Sequence, residues 1–90
     1  MLIEQHLIFK GIVQGVGFRF TMFKFAEELD LKGTVKNLSD GTVEAYLQGK
    51  KESIDLCIEK LKSHFGSKIS TIILKQESIP TQHFSSFQII

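Results

Sequence analysis

The sequence is poor in the residues that build disulfides, thiolate metal sites and charge-driven interfaces. Its 90 residues include one cysteine, one proline and no tryptophan. A single cysteine excludes an internal disulfide, a thiolate metal cage and a C-x-x-C redox pair. The formal net charge of +1 argues against a partner bound mainly by charge, such as duplex DNA or an anionic membrane. No segment approaches the roughly 18 consecutive apolar residues that a membrane-spanning helix needs.

Arginine and asparagine are also represented only once each. Of the 11 lysine and arginine residues, Arg19 is the only arginine, and Asn37 is the only asparagine. The segment from Met1 to His6 has an early acid and no basic stretch, so it does not resemble a secretory signal peptide. We therefore expect a cytoplasmic protein without a membrane partner.

The remaining composition is that of an ordinary folded domain. Hydrophobic residues make up 42% of the chain and charged residues 23%, which favours a packed core over disorder. The length accommodates one domain only, so residues 1–90 are predicted to form a single domain.

Hydrophobic periodicity predicts the order β-α-β-β-α-β, followed by a short terminal β-segment. The predicted strands are His6–Val13, Thr34–Lys36, Thr42–Gln48, Ile69–Leu74 and Phe87–Ile90. The first predicted helix has an apolar face formed by Met22, Phe25, Ala26 and Leu29 and ends near Leu31. The apolar face of the second predicted helix is formed by Ile54, Cys57, Ile58, Leu61 and Phe65, and Gly66 caps its C-terminus. Asp40-Gly41 is a hairpin signal between the second and third strands. This order predicts an α+β sandwich of the ferredoxin-like kind, an antiparallel sheet with two helices on one face and a short extra C-terminal strand. The fold hosts enzymes, RNA binders and metal chaperones, so it does not determine the function.

The segment Gln14-Gly15-Val16-Gly17-Phe18-Arg19 lies between the first strand and the first helix. A glycine-containing loop at that junction can turn successive backbone N–H groups toward an anion, and the helix N-terminus adds its own N–H groups and dipole. The planar guanidinium of Arg19 can bind two phosphate oxygens at once. Position 20 is phenylalanine and no Gly-Lys-Ser/Thr follows, so this is neither a dinucleotide fingerprint nor a Walker loop. The alternative is a tight turn followed by a solvated arginine.

Asn37 is a second candidate, although asparagine before Ser-Asp-Gly is also ordinary turn chemistry. In a β-α-β-β-α-β sheet the first and third strands are central neighbours, and the second strand pairs with the third. Asn37 would then lie at the exit of the second strand, near one edge of the sheet. Whether it faces the loop from Gln14 to Arg19 is left open by the sequence.

The motifs together resemble one known family. The run Gly11-x-Val13-Gln14-Gly15-Val16-Gly17-Phe18-Arg19, then Ala26, Gly33-x-Val35-x-Asn37, Asp40-Gly41-x-Val43-Glu44 and Gly49, is similar to the acylphosphatase family from about residue 5 to the C-terminus. The resemblance implies a small α/β sandwich that hydrolyses the carboxyl–phosphate bond of acyl phosphates without a metal or cofactor. We expect the protein to bind a small-molecule acyl phosphate as substrate and to release inorganic phosphate as product. We also expect a monomeric chain that binds no nucleic acid.

Matched to the family position by position, the phosphate-binding loop comprises Gln14, Gly15, Val16, Gly17, Phe18 and Arg19. Arg19 corresponds to the essential phosphate-binding arginine, and Asn37 to the asparagine that positions the attacking water. Two alternatives remain. One is an acylphosphatase-like domain of a carbamoyl-phosphate-handling maturation protein, which usually has proline where this chain has Phe20 and heads a far longer chain. The other is a ferredoxin-like RNA-binding module, for which the third strand offers only Tyr46 as a stacking aromatic.

Overall fold

The computed structural model describes all residues from 1 to 90 and contains five strands and two α-helices. The elements follow one another as β1 (Leu2–Gly11), α1 (Phe18–Glu28), β2 (Lys32–Asn37), β3 (Val43–Lys50), α2 (Lys51–Phe65), a single 3-10 turn (Gly66–Lys68), β4 (Ile69–Ser78) and β5 (Phe87–Ile89). This order confirms the predicted β-α-β-β-α-β arrangement with an extra C-terminal strand.

The five strands form one sheet in the order β4-β1-β3-β2-β5. The first four strands pair antiparallel, with β1 and β3 at the centre as predicted. The last strand, β5, pairs parallel with β2, from Gly33 opposite Phe87 to Val35 opposite Ile89. The complete sheet is therefore mixed, and β5 rather than β2 forms its edge. Because the pairing between β2 and β5 ends at Val35, Asn37 lies beyond the part of β2 that β5 covers.

Both helices pack one apolar stripe against the sheet. In α1 the buried residues Phe18, Met22 and Ala26 recur every four positions, and α2 buries a similar stripe that includes Cys57 and Leu61. These residues join the alternate inward-facing residues of the strands in a single core of 16 buried residues. Truncating a fully buried Leu or Met in such a core costs about 2–5 kcal/mol. No helix of the structure has the length and apolar character that a membrane crossing requires.

Three element boundaries differ from the sequence prediction by three residues or more, and one of them is the end of β4, which continues to Ser78 instead of Leu74. Helix α1 ends at Glu28 instead of near Leu31, because Asp30 has a left-handed backbone conformation (φ 56°) and the Leu31 N–H donates to the carbonyl of Ala26 at 2.8 Å. Strand β1 begins at Leu2, earlier than predicted, because its polar residues also pair with β3. Neither signal is contained in hydrophobic periodicity, which reports burial and not backbone pairing.

The carboxylate of Glu4 fastens the loop that leads to β5. Its two oxygens accept hydrogen bonds from the Gln48 amide at 2.7 Å and from the Thr81 N–H and hydroxyl at 3.2 and 2.9 Å. Burial alone would raise the pKa of Glu4, but these hydrogen bonds to the ionised form together lower it below its ordinary value. The ionised carboxylate thus fixes the loop at Thr81, which precedes the edge strand β5.

Candidate active site

The loop between β1 and α1 depends on two glycines with left-handed backbone conformations. Gly15 has φ 76° and Gly17, the residue before α1, has φ 78°. A Cβ atom at either position would meet no other atom within 4 Å. Glycine is therefore favoured by the backbone conformation and not by crowding, and a side chain there costs roughly 1–2 kcal/mol per residue.

This loop exposes a continuous row of hydrogen-bond donors. None of the backbone N–H groups from Gln14 to Phe20 donates to an acceptor within the protein, and the first helical bond runs from the Thr21 N–H to the Gly17 carbonyl at 3.0 Å. Helix α1 has no side-chain cap and no acidic residue in its first turn, so nothing on the chain neutralises the positive end of its dipole. Such an arrangement of donors and dipole suits a bound anion.

Arg19 is the second residue of α1 and lies half-buried beside these donors. Its guanidinium takes part in none of the ion pairs of the structure, all of which involve lysine or histidine as the cation. Its charge is thus not neutralised by a carboxylate. A guanidinium held in this way, next to free N–H groups, can bind a phosphoryl group through two oxygens.

Arg19 and Asn37 line the same small cavity of about 180 Å³, although they are far apart in the sequence. The complete lining consists of Val13, Gly15, Gly17, Phe18, Arg19, Phe20, Asn37 and Ile89. The Asn37 Oδ1 atom is the one buried side-chain oxygen or nitrogen that lacks a hydrogen-bond partner in the protein. A buried carbonyl oxygen without a hydrogen-bond partner destabilises the fold, so such an atom is unusual in a folded protein. The structure therefore brings together the two residues whose relative position the sequence left open.

The side chain of Gln14 has a different environment from the cavity. Its amide nitrogen donates to the carbonyl of Leu38 at 2.8 Å and to that of Thr42 at 2.9 Å. These two carbonyls belong to the turn that follows Asn37, which is closed by the Leu38 N–H to Thr42 bond at 2.9 Å. The Gln14 side chain thus braces the loop against the β2–β3 hairpin and helps to set the distance between Arg19 and Asn37.

The structure also distinguishes the other predicted loop residues. Val16 does not line the cavity and packs against the edge of the core. The Phe18 ring is 1% exposed and lies between the rings of Phe9 and Phe65, at centroid distances of 5.0 and 4.9 Å. Phe18 therefore anchors the start of α1 in the core, while its backbone contributes to the cavity.

Three lining residues were not among the sequence candidates for the site. Val13 and Phe20 flank the loop and could have been included from their position in the motif. Ile89 could not, because its place depends on the parallel pairing of β5 with β2. The hairpin turn after Asn37 was predicted correctly: Asp40 accepts hydrogen bonds from the Thr42 N–H at 3.0 Å and hydroxyl at 2.6 Å, which lower the pKa of Asp40.

The cavity lining contains no aspartate, glutamate or histidine. His6 is bonded to Glu44 at 2.8 Å and stacked on Tyr46, away from the cavity, and His64 and His83 are exposed. No three histidine, cysteine, aspartate or glutamate side chains come together as a group that could hold a metal ion. The site can therefore bind and orient a phosphoryl group and a water molecule, and it offers no carboxylate or imidazole for proton transfer.

Comparison with known proteins finds similarities in both sequence and fold. The family model described as acylphosphatase matches residues 5–89. The acylphosphatase of Pseudothermotoga lettingae is 38% identical over 82 residues, which cover 89% of each chain. The crystal structure of acylphosphatase from Bacillus subtilis superposes with a TM-score of 0.88 at 34% identity and covers 100% of this chain and 99% of that one. The structure of HypF from T. kodakarensis has a TM-score of 0.83 at 33% identity, but only 12% of the HypF chain is covered.

Proposed function

The chain belongs to the acylphosphatase family and is a hydrolase of acyl phosphates, and from that premise we propose that Arg19 binds the phosphoryl group while Asn37 positions the attacking water. The observation that carries this assignment is the shared cavity, which is lined both by an arginine without a carboxylate partner and by Asn37, whose Oδ1 atom has no hydrogen-bond partner in the protein. Substrate and product are then a small acyl phosphate and inorganic phosphate.

Binding is the first task of the site. An acyl phosphate carries a dianionic phosphoryl group, and the N–H groups of the loop together with the guanidinium of Arg19 offset that charge. Donors that are already oriented require no reorganisation when charge shifts during the reaction, which is the usual source of electrostatic catalysis. Of the loop residues, Gly15, Val16, Gly17 and Phe18 contribute through their N–H groups in this proposal. Gln14 contributes its N–H there too, while its side chain braces the hairpin.

The second task is to aim one water at phosphorus. The Asn37 Oδ1 atom accepts a hydrogen bond from that water and holds it in line with the bond that breaks. The water oxygen forms a bond to phosphorus, the bond between phosphorus and the acyl oxygen breaks, and its electron pair leaves with the carboxylate. The water's proton passes to a phosphoryl oxygen. A carboxylate is a good leaving group, so no acid or base from the protein is required.

The decisive experiment is a hydrolysis assay in metal-free buffer with wild type, Arg19→Ala and Arg19→Lys. We expect Arg19→Ala to lose nearly all turnover together with inhibition by inorganic phosphate. Arg19→Lys should also be poor, because an ammonium group cannot reproduce the two-point contact of the guanidinium. Undiminished activity of Arg19→Ala would refute the assignment. Loss of wild-type activity in a chelator, with recovery on addition of a metal, would refute the cofactor-free mechanism.

The similarity to HypF gives weaker support to a second candidate function, that of an acylphosphatase-like domain in a protein that handles carbamoyl phosphate. It covers 12% of that chain, whereas the Bacillus subtilis acylphosphatase is matched over 99% of its length. Carbamoyl phosphate presents the same phosphoryl group, so it belongs in the substrate panel of the same assay.

The remaining properties are also proposals. We propose that residues 1–90 form a single domain and that the protein is a monomer in the cytoplasm. We also propose that it binds no nucleic acid, because the Tyr46 ring is already stacked on His6 at a centroid distance of 4.3 Å. Size-exclusion chromatography with light scattering tests the monomer. Salt-dependent binding in an RNA titration would contradict the absence of a nucleic-acid partner.

A further inference from the structure

An apolar groove of about 470 Å³ lies between α1 and β5. Its helical wall is formed by Phe20 and Phe23, which are three residues apart and thus on one face of the helix. Its other wall is formed by Phe87, Gln88 and Ile89 of the terminal strand. The rings of Phe23 and Phe87 lie 6.5 Å apart between centroids and form the floor on which the groove rests.

The groove adjoins the phosphate cavity. Phe20 and Ile89 line both spaces, one from the helix and one from the strand. The pairing of β5 with β2 sets this junction, because Ile89 lies opposite Val35, two residues before Asn37. A phosphoryl group bound at Arg19 would therefore lie in a cavity that shares two of its lining residues with the groove.

The chemistry of the groove is apolar. Four of its five lining residues are hydrophobic and none is charged. Phe20 and Ile89 remain 60% and 41% exposed, so much of this surface is in contact with solvent and becomes buried when an apolar group binds. The Lys24 ammonium lies outside this lining, 5.9 Å from the centre of the Phe20 ring. An aromatic or branched aliphatic group gains hydrophobic burial here, whereas a carboxylate finds no charged partner in the lining.

We propose that this groove is the acyl subsite of the enzyme and that it selects acyl phosphates with an aromatic or branched apolar acyl group over acetyl phosphate. The inference rests on the proposed function, because it takes the phosphoryl group to be bound at Arg19. Phe20 is its principal specificity-determining residue, since it stands at the junction of the two spaces and is exposed enough to be truncated without loss of core packing.

The test compares benzoyl phosphate with acetyl phosphate in wild type, Phe20→Ala, Phe20→Leu and the control Phe25→Ala. Phe25 lies on the same helix but contacts His64 and Lys60 instead of the groove. The intrinsic reactivities of the two substrates contribute the same factor to the ratio of their kcat/KM values in every variant, so this factor cancels when the ratios of two variants are compared. We expect Phe20→Ala to lower the benzoyl-to-acetyl ratio about 10-fold, within the range seen for small changes in hydrophobic subsites. Phe20→Leu should restore part of it, and Phe25→Ala should leave it unchanged.

Inhibition by inorganic phosphate separates the two parts of the site, because phosphate has no acyl group. Because Phe20 also lines the phosphate cavity, Phe20→Ala should weaken phosphate inhibition by a much smaller factor than it lowers the benzoyl-to-acetyl ratio, whereas Arg19→Ala should nearly abolish that inhibition. If Phe20→Ala lowers turnover of both substrates equally and weakens phosphate inhibition, Phe20 serves the phosphate cavity alone and the acyl subsite is refuted while the proposed function stands. An unchanged ratio in every variant would mean that the groove binds something other than the acyl group. If the wild type hydrolyses neither substrate, the proposed function fails and the acyl subsite fails with it.

Discussion

Replacing Asn37 by alanine should separate catalysis from stability, because the Oδ1 atom of Asn37 is buried without a hydrogen-bond partner. An unsatisfied buried polar group costs about 1–3 kcal/mol of folding free energy. Alanine removes that group, and it also removes the contacts of a half-buried side chain at the end of β2. The two effects oppose one another. We therefore expect the free energy of unfolding to stay within about 1 kcal/mol of wild type or to rise.

Catalysis should respond in the opposite direction. Loss of one positioned transition-state group typically lowers kcat by about 10²–10³, equivalent to roughly 2.7–4 kcal/mol. The effect should fall mainly on kcat, because Arg19 and the N–H groups of the loop would still bind the phosphoryl group. Inhibition by inorganic phosphate should accordingly remain close to that of wild type in the Asn37→Ala variant.

Both quantities can be measured on the same preparation. Unfolding in urea is best followed by far-ultraviolet circular dichroism, since the chain has no tryptophan and one tyrosine, and turnover is followed as phosphate release. The matched control is Lys36→Ala, an exposed neighbour on β2 whose ion pair with Glu44 is long at 4.0 Å; it should change stability by less than about 0.5 kcal/mol. Full kcat in Asn37→Ala would remove Asn37 from the mechanism. A loss of stability above about 2 kcal/mol would show that its oxygen has a structural partner.

Three further predictions follow from single contacts. Gln14→Ala removes two hydrogen bonds to the Leu38 and Thr42 carbonyls. It should lower the free energy of unfolding in urea by about 1–2 kcal/mol and should also lower kcat. A loss of stability with unchanged kcat would show that these hydrogen bonds do not position the active site. The pKa of Glu4 is lowered in the folded state, so the stabilising contribution of its carboxylate is present above the ordinary pKa of 4.5 and is lost as pH falls through the folded pKa. On acidification below pH 4.5, the wild type should therefore lose more stability than Glu4→Gln. Parallel plots of stability against pH for the two proteins would contradict this. Burial raises the pKa of Cys57 to about 12, so the thiol should be unreactive toward a thiol reagent at pH 8 until urea unfolds the chain, and rapid labelling of the native protein would contradict its core position.

Most of the fold could be predicted because its signals are local. The apolar stripe that includes Met22 and Ala26 repeats with the helical period, and the turn at Asp40 and Gly41 is specified by short-range hydrogen bonding. The prediction was wrong about the end of the first helix, and it did not specify the partner of the C-terminal strand, because that partner lies far away in the sequence. Helix α1 ends at Glu28, where the backbone reverses around Asp30, and β5 pairs parallel with β2.

The site divides in the same way. The sequence by itself predicted the loop that we propose to bind the phosphoryl group, because two glycines, a predicted helix N-terminus and an adjacent arginine are consecutive along the chain. Only the tertiary structure decided that Asn37 and Arg19 line one cavity, that the Gln14 side chain braces the hairpin, and that Phe20 and Ile89 join this cavity to an apolar groove. These relations depend on strand order and register, which are set by packing the whole sheet against two helices, and no local pattern of residues encodes them.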